Sequence, residues 1–121
     1  MASKDEATQL LIVLGLTLSQ ARIYLTLSHS GACTVKTISK FSQVAREHVY
    51  EVMPQLQDLG LVEKIIGTPS KFNATPIQEG LHTLFQRRTR KTREMQKQKM
   101  ELIKSCKNNK LEGYFKIISS F

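Results

Sequence analysis

The residues with the clearest chemistry in this chain are basic and lie close together. Between Gln86 and Lys99 there are seven basic residues and one acidic residue, so this stretch carries +6 of the chain's formal net charge of +8. Basic side chains at this density attract phosphates, because binding releases counterions from the polyanion. The alternative interpretation is a solvated helix face that only keeps the chain soluble. The residues expected to contact phosphate are Arg87, Arg88, Arg90, Lys91 and Arg93.

The sequence contains no arrangement typical of catalysis or metal binding. It has no glycine-rich phosphate loop and no nucleophile elbow, and its adjacent carboxylates Asp5 and Glu6 are typical of a helix start. Cys33 and Cys106 form no close pair and no metal-type cluster with the histidines. We therefore predict a protein that is not an enzyme and that needs no metal or cofactor. The cysteines are interpreted as reduced thiols, with an intersubunit disulfide or redox switch as the alternative.

Length and composition indicate a small protein with one modest core. The chain has 121 residues, of which 40% are hydrophobic. The N-terminus lacks a basic region that leads into a long apolar run, and no segment reaches membrane-spanning length. The sequence therefore predicts a cytoplasmic protein that does not contact a membrane.

Residues 34–59 have the pattern of two short helices joined by a tight turn. Thr34 is a plausible N-cap for a helix over residues 34–41, in which apolar residues recur at helical spacing. Residues 44–59 form a second amphipathic pattern, and Gly60 suits the position after its C-cap. Pro54 falls inside this second helix, where it removes a hydrogen bond, so the sequence predicts either a kink or a different helix boundary.

Two short strands follow this helix pair. Residues 61–66 and 71–75 are strand-like, and the turn-forming residues 67–70 between them predict a β-hairpin. Residues 32–35 are a candidate third strand. Helix, turn, helix and hairpin in this order predict a winged helix-turn-helix, which places its second helix in the major groove of DNA.

Helices are also predicted on both sides of this module. Residues 8–14 and 19–27 supply apolar core positions ahead of it. After Pro76 a helical pattern runs to about Lys110, which at ~1.5 Å per residue is roughly 50 Å.

A helix of this length normally has a partner, and a seam of positions at alternating steps of four and three runs along it. The seam is apolar at both ends and polar in the middle. An antiparallel homodimer would bury both apolar ends, whereas a parallel one would stack Arg88 and Lys99 on their own copies. The predicted dimer contacts are Leu81, Leu84, Phe85, Met95, Leu102, Ile103 and Cys106.

Five short motifs follow one another along the chain: Leu14–Thr17, Ala21–Leu25, Val49–Val52, Leu59–Glu63 and Gly67–Pro69. In these motifs the chain resembles the N-terminal DNA-binding domain of the TrmB-like transcriptional regulators, a family found mainly in archaea. The resemblance covers most of residues 7–85. It implies a winged helix-turn-helix that dimerises through a helix after the wing. His48 and Thr68 depart from it, because such regulators commonly carry an arginine and a second basic residue there.

Many proteins of this family carry a sugar-binding domain after the region matched here. This chain ends instead in a short apolar tail, so we predict no small-molecule effector. We predict a mainly α fold: a winged helix-turn-helix with a small β-hairpin wing and a long C-terminal coiled-coil-like helix. The predicted domains are the DNA-binding domain (residues 1–75), a basic dimerisation helix (76–112) and the tail (113–121).

The predicted function is that of a homodimeric, double-stranded DNA-binding transcriptional regulator, located in the cytoplasm with the nucleoid. Two alternatives are a non-specific, chromatin-like DNA-binding protein and a winged-helix module for protein contacts in the transcription machinery. Glu47 is expected to accept a hydrogen bond from a cytosine amino group. The predicted DNA contacts are Arg46, Glu47, His48 and Tyr50 at the major groove, Ser42 and Gln43 at the backbone, and Thr68, Ser70 and Lys71 in the wing.

Overall fold

The computed structural model describes residues 4–108. Five helices and one β-hairpin follow one another in the predicted order, so the predicted fold class is confirmed. The chain divides into two units, one that ends at Gln86 and one that begins at Arg87. The predicted tail, residues 113–121, lies outside the described residues. The elements are α1 (Lys4–Val13), α2 (Leu18–Ser30), α3 (Val35–Ser42), α4 (Arg46–Asp58), β1 (Val62–Ile65), β2 (Lys71–Ala74) and α5 (Ile77–Asn108).

Helix α2 begins at a capping box that also orients it against α4. The Thr17 hydroxyl accepts the Gln20 N–H, and the Gln20 side chain accepts the Thr17 N–H in return. Two backbone donors that a helix start leaves unpaired are satisfied in this way. The Gln20 amide then donates to the Gln55 side-chain oxygen at 2.8 Å. The first turn of α2 is therefore linked directly to α4.

The turn between α3 and α4 is held by two serines. Ser39 Oγ donates to the Val44 carbonyl at 2.7 Å, and Ser42 Oγ accepts the Val44 N–H at 3.3 Å. Gln43 lies between these residues with φ +62°, the left-handed conformation that ends α3. The predicted N-cap at Thr34 is confirmed, since its hydroxyl accepts the Thr37 N–H.

Helix α4 runs without interruption from Arg46 to Asp58 with Pro54 inside it. It begins two residues later than the sequence pattern predicted, and the predicted glycine stop is confirmed because Gly60 has φ +76°. A helix boundary at Pro54 is thereby excluded, and the kink stays a prediction. The buried face of α4 consists of Val49, Val52, Met53 and Leu56.

The hairpin is antiparallel, with Lys64 opposite Phe72 and Ile65 opposite Lys71. Phe72 is buried, and its backbone forms two hydrogen bonds with Cys33, of 2.8 and 3.0 Å. This single bridge replaces the predicted third strand over residues 32–35. The strand cannot extend further because the next residue, Thr34, is already the N-cap of α3.

The first turns of α5 complete the core of the first unit around Tyr24. The Tyr24 side chain is fully buried, and its hydroxyl donates to the Thr75 carbonyl at 2.9 Å. Burial raises the pKa of Tyr24 above its ordinary value; a hydrogen bond with Ser28 partly opposes this effect, and the Glu79 carboxylate adds to it. Gly80 lies directly against this ring, so that a Cβ there would fall on the hydroxyl and 3.3 Å from Leu61.

We expect Gly80→Ala to destabilise the protein by about 2 kcal/mol, because the added methyl group overpacks the Tyr24 site. At an exposed helix position the same substitution would be stabilising by about 1 kcal/mol, so the sign of the change is diagnostic. Denaturant unfolding followed by circular dichroism measures it. In a Tyr24→Phe background the loss should be smaller, because the hydroxyl that meets the new methyl group is gone. A stabilising Gly80→Ala would contradict this packing.

Candidate nucleic-acid interface

A cleft of about 470 Å³ lies between α3, α4 and the hairpin. We call it the wing cleft. One wall is the start of α3, the second is the face of α4 that carries Arg46 and Tyr50, and the third is the hairpin. Its lining residues are Thr34, Val35, Lys36, Arg46, Tyr50, Met53, Pro54, Gln57, Lys64, Pro69, Ser70 and Phe72.

The wing cleft is cationic. Lys36, Arg46 and Lys64 reach it from α3, α4 and β1, and no acidic side chain is among its lining residues. Three cations that converge from three elements suit a phosphate group, because each contributes attraction without an internal ion pair to break. The tertiary structure therefore collects these charges at one place.

The sequence pattern predicted only one of these three cations, Arg46. Lys64 belongs to the cleft because it lies opposite buried Phe72 in the hairpin register, and paired residues of antiparallel strands share a face. Side chains alternate between the two faces of a strand, so the position of Phe72 could have predicted which face carries Lys64. Lys36 reaches the cleft through the packing of α3 beside the hairpin, and no local pattern predicts that packing.

The exposed surface of α4 is acidic beyond its first turn. Glu51 and Asp58 are exposed there, Glu47 is exposed within the first turn, and Arg46 is the only lysine or arginine of the helix. An acidic helix is repelled by phosphates, so a close approach along its whole length is unfavourable. This distribution of charge favours the N-terminal turns of α4, where Arg46 and Tyr50 lie, over the rest of the helix as a surface for DNA.

His48 lies on a different side of α4 from the wing cleft. Its Nε2 lies 3.0 Å from Ser19 Oγ and its Nδ1 lies 3.1 Å from the Glu51 carboxylate. Both ring nitrogens thus have partners inside the protein, and the ring links α4 to the start of α2. These internal contacts do not favour His48 as a base-reading residue, although the side chain is exposed and the predicted contact stays a prediction.

Two predicted contacts are wrong because the side chains are buried. The hydroxyl of Ser42 is inside the protein and accepts the Val44 N–H, so it cannot touch a DNA backbone. Leu84 is 1% exposed in the core of the first unit, and it is not available to a partner helix. Gln43, Thr68 and Lys71 are exposed, as their predicted roles require.

The basic run on α5 is open to solvent. Arg87, Arg88, Arg90, Lys91 and Arg93 are all exposed, and none of them forms an ion pair with another described residue. Apolar positions of the predicted dimer seam are also exposed, with Leu102 at 64%. Leu81 is half-buried against the core of the first unit, and Cys106 is half-buried. The exposed seam positions are Phe85, Met95, Leu102 and Ile103.

The helix-turn-helix and the hairpin together define a winged-helix protein. Solved regulators of the MarR family share this fold. SPO1453 from Silicibacter pomeroyi DSS-3 has a TM-score of 0.52 at 13% identity, over 93% of this chain and 80% of that one. MepR, which regulates the Staphylococcus aureus multidrug efflux pump MepA, has a TM-score of 0.52 at 19% identity, over 97% and 88%. Identities this low show the fold alone.

The family is shown by the sequence. The family model for the sugar-specific transcriptional regulator TrmB matches residues 10–78, more than half of the chain. The chain therefore belongs to the TrmB family of DNA-binding transcriptional regulators, as the resemblance implied. No curated protein sequence matches it.

A solved structure that is similar to this chain is that of TrmBL2, an archaeal chromatin protein whose structure shows a novel mode of DNA binding. It is 26% identical to this chain with a TM-score of 0.72, and the match covers 98% of this chain and 46% of that one. The chain thus spans less than half the length of TrmBL2. None of the helices within residues 4–108 is long and apolar enough to cross a membrane.

If the wing cleft holds a phosphate, Lys36→Ala and Lys64→Ala should each weaken duplex binding. Each should also reduce the slope of log affinity against log salt by about 0.9, the contribution of one phosphate contact. Fluorescence anisotropy with a labelled duplex between about 50 and 200 mM salt measures both quantities. Lys40→Ala is the matched control, because Lys40 is exposed on the same helix and lies over the Phe41 ring outside the cleft. Equal slopes for Lys36→Ala and Lys40→Ala would contradict a phosphate site.

Proposed function

We propose that this chain binds double-stranded DNA as a homodimer and regulates transcription. The observation that carries the proposal is the wing cleft, in which Lys36, Arg46 and Lys64 converge with no acidic neighbour in the lining. The exposed basic run on α5 supplies further phosphate contacts. Membership of the TrmB family supports the same class of function.

The positions of α4 and the hairpin explain why a phosphate would lie between them. In a winged-helix complex the second helix enters the major groove and the wing approaches the adjacent minor groove. One strand of the duplex separates these two grooves, so its phosphates pass between the helix and the wing. The wing cleft is the gap on this path, and its three cations match the charge that passes through it.

The N-terminal turns of α4 are the part of the interface that could distinguish one sequence from another. Arg46 is able to donate two hydrogen bonds to a guanine edge, and Glu47 to accept one from a cytosine amino group. Tyr50 is exposed beside them. With so few side chains, base contacts of one subunit would cover a short half-site.

A homodimer would read two such half-sites. The apolar positions Phe85, Met95 and Leu102 are exposed on α5 at coiled-coil spacing, which supports pairing with the same helix of a second copy. Recognition helices about 34 Å apart would meet one face of the duplex, one helical turn apart.

A second candidate function is non-specific, chromatin-like DNA binding. The acidic surface of α4 favours it, because Glu51 and Asp58 oppose a deep approach of the helix to the major groove. TrmBL2, which is similar to this chain, is an archaeal chromatin protein. Phosphate contacts dominate in this case, and affinity is high for any sequence.

The family and the fold are those of DNA-binding regulators, which are not a class of enzyme, and we propose no catalytic activity. Binding to chromosomal DNA would place the protein in the cytoplasm with the nucleoid. The predicted lack of a small-molecule effector stays a prediction. A sugar that raises the melting temperature strongly would contradict it.

Selection of bound duplexes from a random library, followed by sequencing, distinguishes the two candidates. A sequence-reading dimer should enrich an inverted repeat, and the distance between its halves gives the half-site spacing. A chromatin-like protein should retain DNA without enriching any motif. Failure to retain DNA at near-physiological salt would reject both and favour a module for protein contacts.

Leu102→Asp should convert the proposed dimer to a monomer, because it places a charge in the apolar seam. The melting of the first unit should not change, since Leu102 is 64% exposed and lies on the second unit. Sedimentation analysis measures the mass. Lys104→Asp is the control: it makes a larger charge change two residues away, on the opposite side of the helix. A wild-type monomer, or a Leu102→Asp dimer of unchanged affinity, would contradict the proposed seam.

A further inference from the structure

The wing tip carries an apolar side chain that the core does not use. Ile66 follows β1 and is 91% exposed, whereas Val13 and Leu102, the next most exposed large apolar residues of the described chain, reach 64%. A single exposed aliphatic residue is ordinary on a protein surface. Ile66, however, lies on the element that the proposed function brings to DNA.

The loop around Ile66 contains no charged side chain. From residue 65 to residue 70 the sequence is Ile, Ile, Gly, Thr, Pro, Ser. The Ser70 hydroxyl donates to the Gly67 carbonyl at 3.4 Å, across the base of the loop. Proteins that sense a narrow minor groove by its potential insert arginine or lysine, and this loop has neither. It offers DNA an isoleucine and a proline, which are residue types that act as wedges between base steps.

The charges of the hairpin lie on either side of this tip. Lys64 is opposite Phe72 and Ile65 is opposite Lys71, so the two lysines lie on opposite faces of the hairpin. Both lysines are exposed. The minor groove has a phosphate backbone on each side and base edges on its floor. An apolar tip between two cations on opposite faces is complementary to that arrangement.

We infer that Ile66 enters the minor groove and partly separates one base step, so that the bound duplex is bent. The inference rests on the proposed function and deepens it, because it assigns a role to the wing tip that phosphate contacts do not supply. Insertion removes the isoleucine from water, and the least costly steps to separate are the flexible TA and CA steps. The protein would then prefer DNA that deforms easily at the wing. This preference would add to the few base contacts that α4 offers.

The test uses the complete chain and a duplex of about 25 base pairs with a central TA step and a fluorophore at each end. Anisotropy gives the affinity and its salt dependence, and energy transfer between the ends gives the bend. We expect Ile66→Ser to bind about tenfold more weakly, the loss expected for one buried aliphatic side chain. Its salt slope should equal that of the wild type, because no phosphate contact is removed. Energy transfer in its complex should fall toward the value for free DNA.

Two variants control the experiment. Val13→Ser also replaces an exposed aliphatic residue by serine, but on α1 outside the interface, and it should change neither affinity nor bend. Ile66→Leu keeps an aliphatic wedge and should keep most of the bend. The exposure of Ile66 predicts an unchanged melting temperature for both Ile66 variants.

Several outcomes would overturn the wedge. An Ile66→Ser complex with wild-type affinity and bend would do so, and so would a wild-type complex in which the duplex stays straight. Both results leave DNA binding by the wing cleft intact. A wild-type protein that binds no duplex would instead reject the proposed function, and the wedge with it.

Discussion

The interface of this protein depends on one short contact, the pair of backbone hydrogen bonds between Cys33 and Phe72. They hold the hairpin beside the residue that precedes the N-cap of α3, while the Phe72 side chain is buried in the core. The distance between the hairpin and the helix pair is thereby fixed. Because Lys36 and Lys64 lie on these two elements, the same contact brings their charges into one cleft.

The distribution of charge separates two kinds of DNA contact. The cations are concentrated in the wing cleft and on the basic run of α5, whereas α4 is acidic beyond Arg46. Affinity that arises from phosphates is strong and insensitive to sequence. In the proposed complex, selectivity would come from the first turns of α4 and from the deformability of the duplex at the wing.

The fold around the interface leaves little freedom to the helices that carry it. His48 joins α4 to Ser19, and Gln20 joins α2 to Gln55, so polar contacts fix the orientation of α4 on one side. Tyr24, Thr75 and Gly80 fix the start of α5 on another. His48 and Ser42, which the sequence pattern assigns to DNA, both make internal contacts, His48 with Ser19 and Ser42 with the Val44 N–H.

The sequence by itself determined the order of the elements and most of their bounds to within two residues, because caps, periodicity and turn residues act over a few positions. Thr34, Gly60 and residues 67–70 are of this kind. The exceptions among the bounds are the start of α1, the end of α2 and the predicted third strand. Only the tertiary structure decided that Leu84 and Ser42 are buried and that His48 faces α2. It also decided that Lys36 and Lys64 share a cleft. These results depend on the packing of elements that are far apart in the chain, and a local sequence pattern contains no information on that packing.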